Sequence, residues 1–286
     1  MKGLNIAVAA LILVSLAASS GLCAERTRNL TDAMIADAIQ DELSFDEAVP
    51  GNRIDIDVKK GVETLKGRAT NLLAAERAVR ITETVRGVRS VIDRIKIRPP
   101  ERVSDPGIRR RVVAALEDDP ATETYDVRVQ VNDGVVTLEG GVQSWQEKRL
   151  AEQVAKGVAG VVGVSNEIEV NYRVERPDEE IRNDIVQRMR WDVLVDDGMV
   201  NVKVKDGRVI LDGIVGSAAE KRFAVRDAWV AGTDDVNATG LKVQLWARDP
   251  QLRREKYTVR PDSDVKRALD RALEYDPRVD AENVKV

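Results

Sequence analysis

The stretch Asp133-Gly134-Val135-Val136-Thr137-Leu138-Glu139-Gly140-Gly141-Val142 decides the fold of this chain. It follows the alternating apolar residues Val127, Val129 and Val131, and alternation with period two predicts a strand with one apolar face. Asp-Gly between two such strands is a strong hairpin signal, because both turn residues need a positive φ angle. The return strand is expected to end at the second glycine, Gly140. The stretch therefore predicts an antiparallel β-hairpin.

Helices are predicted on both sides of this hairpin. Before it, apolar residues four positions apart follow Asp105, which is a good N-terminal cap for an amphipathic helix. After it, Ser144 and Glu147 form a capping box for a second helix, and a last strand contains Ile168 and Val170. The predicted unit is α-β-β-α-β, an α+β fold in which two helices pack on one face of a three-stranded mixed sheet.

The same pattern recurs three times at a constant offset of 73 residues. Asp32, Asp105 and Asp178 begin equivalent helices, and a shared spacing across caps, glycines and apolar positions indicates tandem repeats. The glycines that repeat with this offset, for which structural turn roles are predicted, are Gly61, Gly134 and Gly207, followed by Gly67, Gly140 and Gly213.

The repeats divide most of the chain into tandem small two-layer domains. The predicted boundaries are 31–98, 104–174 and 177–244, followed by a charged linker at 245–261 and a truncated fourth repeat at 262–286. The fourth repeat ends inside its first strand, which leaves either a fragment of a longer protein or a decayed remnant. A core of this size supplies only roughly 3–5 kcal/mol of folding stability, so the repeats are expected to stabilise one another through contacts. Short linkers nevertheless predict that they melt semi-independently.

These residues resemble the BON domain family, a bacterial module of osmotically induced periplasmic proteins and nodulation-associated proteins. The resemblance rests on D-G-x-V-x-L-x-G-x-V at 133–142 and on G-V-x-x-V-x-N-x-I at 160–168. It covers three full repeats and the truncated fourth. It implies a periplasmic, non-enzymatic protein that attaches to phospholipid membranes and protects the envelope under osmotic or other stress.

Two repeats depart from the family pattern. In the first, Glu63 stands where the other repeats have Val136 and Val209. In the third, Asp227 lies on the face of the second helix and Gly232 is shifted. We expect looser cores or different partners in these two repeats.

The N-terminus has the pattern of a secretory signal peptide over residues 1–24. Lys2 precedes a short apolar run, after which small residues lead to Glu25 and Arg26. A membrane anchor is the alternative, but a spanning helix needs roughly 20 apolar residues. A lipoprotein attachment at Cys23 is less favoured, because Leu22 stands where lipoproteins have a small residue. The expected location is the periplasm.

Composition excludes many classes of enzyme. Among 286 residues there are 45 basic and 49 acidic residues, no histidine and one cysteine. These numbers rule out histidine-based catalysis and histidine metal sites, and they leave no basic excess for nucleic-acid binding. We expect no enzyme activity, catalytic residue, metal, cofactor, nucleic acid or small-molecule substrate.

Basic clusters are the candidate functional residues. The first repeat balances basic and acidic residues whereas the second is acidic, so the first is the better contact for anionic headgroups. An ordinary solvated helix face is the alternative for any single arginine. The predicted phospholipid-binding residues are Arg77, Arg80, Arg86 and Arg89, followed by Arg109, Arg110 and Arg111. The predicted partner is an anionic phospholipid surface. The alternative function is a periplasmic protein-interaction scaffold or part of a larger envelope protein.

Overall fold

The structure is a computed structural model that describes residues 30–49, 53–119, 121–122, 126–172, 175–253, 261–274 and 284–285. The predicted signal peptide and Cys23 lie outside the described residues, as does most of the chain after residue 274. Residues 284 and 285 of the predicted half strand are described and do not form a strand.

Each repeat has the order helix, strand, strand, helix, strand. The first contains α1 (Asp32–Phe45), β1 (Ile54–Lys59), β2 (Val62–Ala69), α2 (Leu72–Thr84) and β3 (Ser90–Ile97). The second contains α3 (Asp105–Asp118), β4 (Asp126–Asn132), β5 (Val135–Val142), α4 (Trp145–Gly157) and β6 (Gly163–Val170). The third contains α5 (Asp178–Trp191), β7 (Val200–Lys205), β8 (Arg208–Val215), α6 (Ala218–Asp227) and β9 (Asp235–Val243).

Each repeat forms its own three-stranded mixed sheet. The first two strands pair antiparallel, and the last strand pairs parallel with the middle one, so the order is β1-β2-β3 and its equivalents. The apolar positions predicted from helical spacing are buried: Ile108, Val112 and Leu116 of α3 pack in one cluster with strand residues of their repeat. The α+β fold class and the tandem repetition are therefore confirmed.

The glycines of each hairpin have two different structural roles. At the turn, Asp133 and Gly134 both have positive φ angles, of 50° and 77°. The second glycine does not end the return strand as expected, because β5 continues past Gly140 to Val142. Gly140 has φ +137°, and a Cβ built there would lie 2.0 Å from the carbonyl oxygen of Asp126 on the paired strand. Such a close approach of the paired backbone, together with a positive φ angle, requires glycine.

The aspartate at the start of each first helix holds the hairpin turn. Asp105 was predicted as an N-terminal cap, but Ser104 occupies that position. The two carboxylate oxygens of Asp105 accept hydrogen bonds of 2.9 Å from the backbone N–H groups of Asp133 and Gly134. Asp178 makes the same pair of bonds in the third repeat, and these bonds lower its pKa.

Contacts made by the second helices and by the residue Trp229, which follows α6, join the three repeats in a closed cycle. Lys156 of α4 pairs with Glu76 of α2 at 2.6 Å, which joins the second repeat to the first. Arg222 of α6 pairs with Glu83 of α2 at 2.5 Å, which joins the third repeat to the first.

Trp145 and Trp229 close the cycle between the second and third repeats. Their rings stack with centroids 4.9 Å apart and an interplanar angle of 6°. Glu83, Lys156 and Trp229 occupy the same position in the 73-residue repeat, and each contacts the neighbouring repeat. The contacts group Thr31–Val286 into one unit, and the semi-independent melting of the repeats stays a prediction.

The segment predicted as a charged linker begins as ordered structure. Two short 3₁₀ helices, Leu245–Arg248 and Pro250–Leu252, follow β9, and Ala247 is buried. Arg253 donates to the carboxylate of Glu220 on α6 at 2.7 Å, so this part of the segment packs on the third repeat. The helix predicted for the fourth repeat is present as α7 (Asp262–Glu274), with Val265 and Leu269 exposed.

Candidate functional site

Three of the seven predicted lipid-binding arginines make contacts within the protein. Arg77 pairs with Asp46 at 2.7 Å, and Arg80 lies 3.5 Å from Glu76. Arg109 donates from Nε to the carbonyl oxygen of Val129 at 3.0 Å. An arginine that already has a carboxylate partner offers less positive charge to an external anion. Arg77 and Arg80 are therefore weaker candidates than the sequence pattern indicated, whereas Arg109 has only a backbone carbonyl as its partner among the described residues.

The other four predicted arginines are exposed. Arg86 and Arg89 lie in the loop between α2 and β3, and Arg110 and Arg111 lie in the first half of α3. None of the four forms an ion pair with any residue that the structure describes. They belong to two different repeats.

A denser basic surface lies on the outer face of the first sheet. Leu65, Ala69 and Ile97 point into the core, so the residues that alternate with them on β2 and β3 point to solvent. The strand register pairs Lys66 with Arg94 and Arg68 with Lys96. We call this group of Lys66, Arg68, Arg94 and Lys96 the basic sheet face.

The basic sheet face has no internal counter-charges bound to it. All four side chains are exposed, and none is ion-paired within the described part of the chain. Paired residues on neighbouring strands stand about 5 Å apart, so four positive charges occupy a compact surface. Asp55 lies opposite Lys66 on β1, which places the basic surface on the β2–β3 side of the sheet.

The equivalent surface of the second repeat carries the opposite charge. At the offset of 73 residues, Glu139, Glu167 and Glu169 replace Lys66, Arg94 and Lys96, and Glu139 pairs with Glu167 in the register. The fold therefore accepts either sign of charge at these positions. The fold therefore does not require the positive charges of the first repeat, which are available to bind an anion.

A buried carboxyl group lies beneath this sheet. Glu63 of β2 is fully buried, and neither of its carboxylate oxygens has a hydrogen-bond partner in the part of the chain that the structure describes. Burial raises the pKa of Glu63 to about 8, and the negative charge of Asp32 adds to the effect. The equivalents Val136 and Val209 are buried as well, so the departure noted in the sequence is a departure in the core.

The described residues contain no group of three or more histidine, cysteine or acidic side chains that could hold a metal ion. No helix within the same residues is both long enough and apolar enough to cross a membrane.

Sequence reasoning missed the basic sheet face as a unit. Arg94 and Lys96 alternate visibly along one strand, but the parallel register that brings Lys66 and Arg68 beside them depends on the crossover through α2. Comparing the sign of charge at equivalent repeat positions was the signal that could have revealed it.

Comparisons with known proteins agree with the repeat structure. The BON domain family model matches residues 31–99, 104–172 and 177–244. Over 145 residues the chain is 30% identical to osmotically-inducible protein Y of Escherichia coli (strain K12). The matched region covers 49% of this chain and 72% of that protein.

Solved structures of CdsD, a structural protein of the type III secretion system of Chlamydia trachomatis, are more distant. Its C-terminal domain is 14% identical, with coverage of 75% of this chain and 100% of that chain, and a TM-score of 0.21. A second CdsD structure is 16% identical, with coverage of 72% and 91%, and the same TM-score of 0.21. With three matched segments that fold as three equivalent domains, this chain belongs to the BON domain family.

Proposed function

We propose that this chain is a non-enzymatic, exported binding protein of the bacterial envelope, located in the periplasm, which associates with anionic phospholipid membranes through the basic sheet face. The observation that carries the proposal is the group of four exposed positive charges on one sheet, none of which is ion-paired with a described residue. The similarity to a protein named for osmotic induction supports a role in protecting the envelope during osmotic stress.

Electrostatics gives the expected strength of this association. Each Lys or Arg close to an anionic leaflet contributes about 1 kcal/mol, so four of them contribute up to about 4 kcal/mol at low salt. The attraction is screened over about 8 Å at physiological ionic strength. Binding should therefore be measurable at low salt and weaken strongly as salt is added. A chain with a net charge of −4 needs such a local basic surface to approach an anionic membrane.

The test is co-sedimentation with vesicles of graded anionic lipid content. One variant changes Lys66, Arg68, Arg94 and Lys96 to Gln, and a matched variant changes Arg86, Arg89, Arg110 and Arg111 to Gln. Both remove four positive charges from exposed positions, so they share the same net charge. Circular dichroism is used to check that each variant remains folded.

We expect the first variant to lose most of its binding and the matched variant to lose little. A larger loss in the matched variant would assign binding to the arginines predicted from the sequence. If neither variant binds differently from the unmodified chain, or if the unmodified chain does not bind, the phospholipid proposal fails. Capture of an envelope protein would then support the scaffold alternative.

A further inference from the structure

A groove with a volume of about 640 Å³ lies between the second and third repeats. Its walls come from α4, from the last turn of α5 and from the end of α6. The lining residues that matter for its chemistry are Trp145, Arg149, Arg188, Trp191, Arg226 and Asp227. We call it the tryptophan groove. It is on different repeats from the basic sheet face.

The fold of a single repeat does not need the residues of this groove. Three of the four tryptophans of the chain lie in it or stack against its wall. Equivalent positions of the other repeats hold other residue types: Leu72 and Ala218 for Trp145, Glu42 and Ala115 for Arg188, Phe45 and Asp118 for Trp191, and Ile81 and Val154 for Asp227. The same architecture thus forms without this set of side chains, as is expected of residues that serve binding.

Two guanidinium groups of the groove have no carboxylate partner among the described residues. Arg149 lies over the ring of Trp145, 5.2 Å from its centroid. Arg188 donates only to the carbonyl oxygen of Trp229, at 3.0 Å. Arg226, in contrast, pairs with both Asp192 and Asp227. An acidic group in the groove would give Arg149 and Arg188 the partner that they lack.

Asp227 contributes an unused acceptor. It is 3% exposed, and its Oδ1 accepts from Arg226 at 3.0 Å. Its Oδ2 has no hydrogen-bond partner in the described residues. A buried acceptor without a donor is costly, so each such atom calls for an explanation. A donor on a bound ligand would satisfy it.

We propose that the tryptophan groove binds an acidic glycan. A hydroxyl group donates to Oδ2 of Asp227, and a carboxylate on the sugar pairs with Arg149 and Arg188. The apolar face of a sugar ring packs against the indole of Trp191, since the ring of Trp145 is already covered by Trp229 and Arg149.

A glycan fits these groups better than a peptide does. A basic side chain would satisfy Asp227 but would be repelled by Arg149 and Arg188, which have no carboxylate partner among the described residues. An acidic side chain would pair with the arginines but would bring no donor for Asp227. Sugar hydroxyls donate and accept without adding charge, and a pocket that is part apolar and part polar suits a ring with an apolar face and a polar rim.

Isothermal titration calorimetry with three probes tests the proposal. The probes are trigalacturonic acid, the neutral trisaccharide maltotriose and a hexaglutamate peptide. The variants are Arg149→Gln, Arg188→Gln and Asp227→Val, which introduces the residue of the second repeat. Arg182→Gln is the matched control, because Arg182 is an exposed arginine of α5 outside the groove.

We expect trigalacturonic acid to bind and to quench tryptophan fluorescence, and maltotriose to bind at least about tenfold more weakly. Each groove variant should weaken trigalacturonic acid binding by about tenfold, while Arg182→Gln should leave it unchanged. Hexaglutamate binding without trigalacturonic acid binding would overturn the proposal in favour of a protein partner. Absence of binding by all three probes, or equal loss with Arg182→Gln, would also overturn it.

Discussion

Replacing Glu63 by valine should stabilise the protein although it removes a charged residue. Glu63 is fully buried in the first repeat, and both of its carboxylate oxygens lack a partner among the described residues. The other two repeats have Val136 and Val209 at this position, each 0% exposed. The Glu63→Val variant therefore gives the first repeat the side chain around which the same fold is already built twice. A buried polar group without a partner costs more than an apolar group of suitable shape.

The magnitude follows from the pKa of the carboxyl group in the two states. The pKa of Glu63 rises from 4.5 to about 8 on folding. Between these values the unfolded state has released the proton and the folded state still holds it. Because the unfolded state binds fewer protons there, stability falls as the pH rises, by about 1.4 kcal/mol per pH unit. The penalty is about 3 kcal/mol at pH 7 and approaches about 5 kcal/mol above pH 8.

Urea denaturation at several pH values between 5 and 9 measures this effect. Glu63→Val should raise the free energy of unfolding at pH 7 by about 3 kcal/mol or more, and its advantage over the unmodified chain should grow from pH 5 to pH 8. Glu63→Gln should remove the same pH dependence but gain less stability, because the amide remains buried without a partner. Glu117→Gln, at an exposed position, serves as the control.

Two results would refute this reasoning. The first is a Glu63→Val variant that is less stable than the unmodified chain at pH 7. The second is a stability difference between the two proteins that stays constant from pH 5 to pH 8.

Three further predictions concern the hairpin and the contacts between repeats. Gly140→Ala should destabilise far more than Gly134→Ala in urea denaturation, because only at Gly140 would a Cβ collide with a carbonyl oxygen at 2.0 Å; equal losses would contradict this. Asp105→Ala should lower the free energy of unfolding by about 2 kcal/mol, because two turn amides lose their acceptor; unchanged stability would exclude that role. In calorimetry, Glu83→Arg and Arg222→Glu should each broaden the thermal unfolding of the chain, and the double variant should sharpen it again if the pair joins two repeats.

The fold of each repeat could be predicted because its turns, caps and apolar spacing are encoded within a few neighbouring residues. The Asp-Gly turn, the apolar spacing of α3 and the capping box at Ser144 each act within a few residues. The prediction of each helix and strand was supported by its recurrence in three repeats at a constant spacing. The continuation of β5 through Gly140 was missed, because the need for glycine there depends on the backbone of the paired strand β4.

Long-range partners could not be read from local patterns. Leu72 lies on α2 of the first repeat, yet it packs against the core of the second repeat. Asp105 was predicted as a helix cap from its neighbours in sequence. Its actual hydrogen-bond partners lie 28 and 29 residues away, where a local pattern cannot indicate them. Whether an arginine is ion-paired also depends on which carboxylates the fold brings near it, as the pair of Arg77 and Asp46 illustrates.

The measurement that tests the proposed function most directly is a charge exchange between the first and second repeats. One variant gives the first repeat the acidic residues of the second through Lys66→Glu, Arg94→Glu and Lys96→Glu. The other makes the reverse change through Glu139→Lys, Glu167→Arg and Glu169→Lys, and the combination keeps the native net charge. In co-sedimentation with anionic vesicles, the first variant should lose binding and the combined variant should regain it through the second repeat. Undiminished binding by the first variant, with the fold intact, would contradict the assignment of the membrane contact to the basic sheet face.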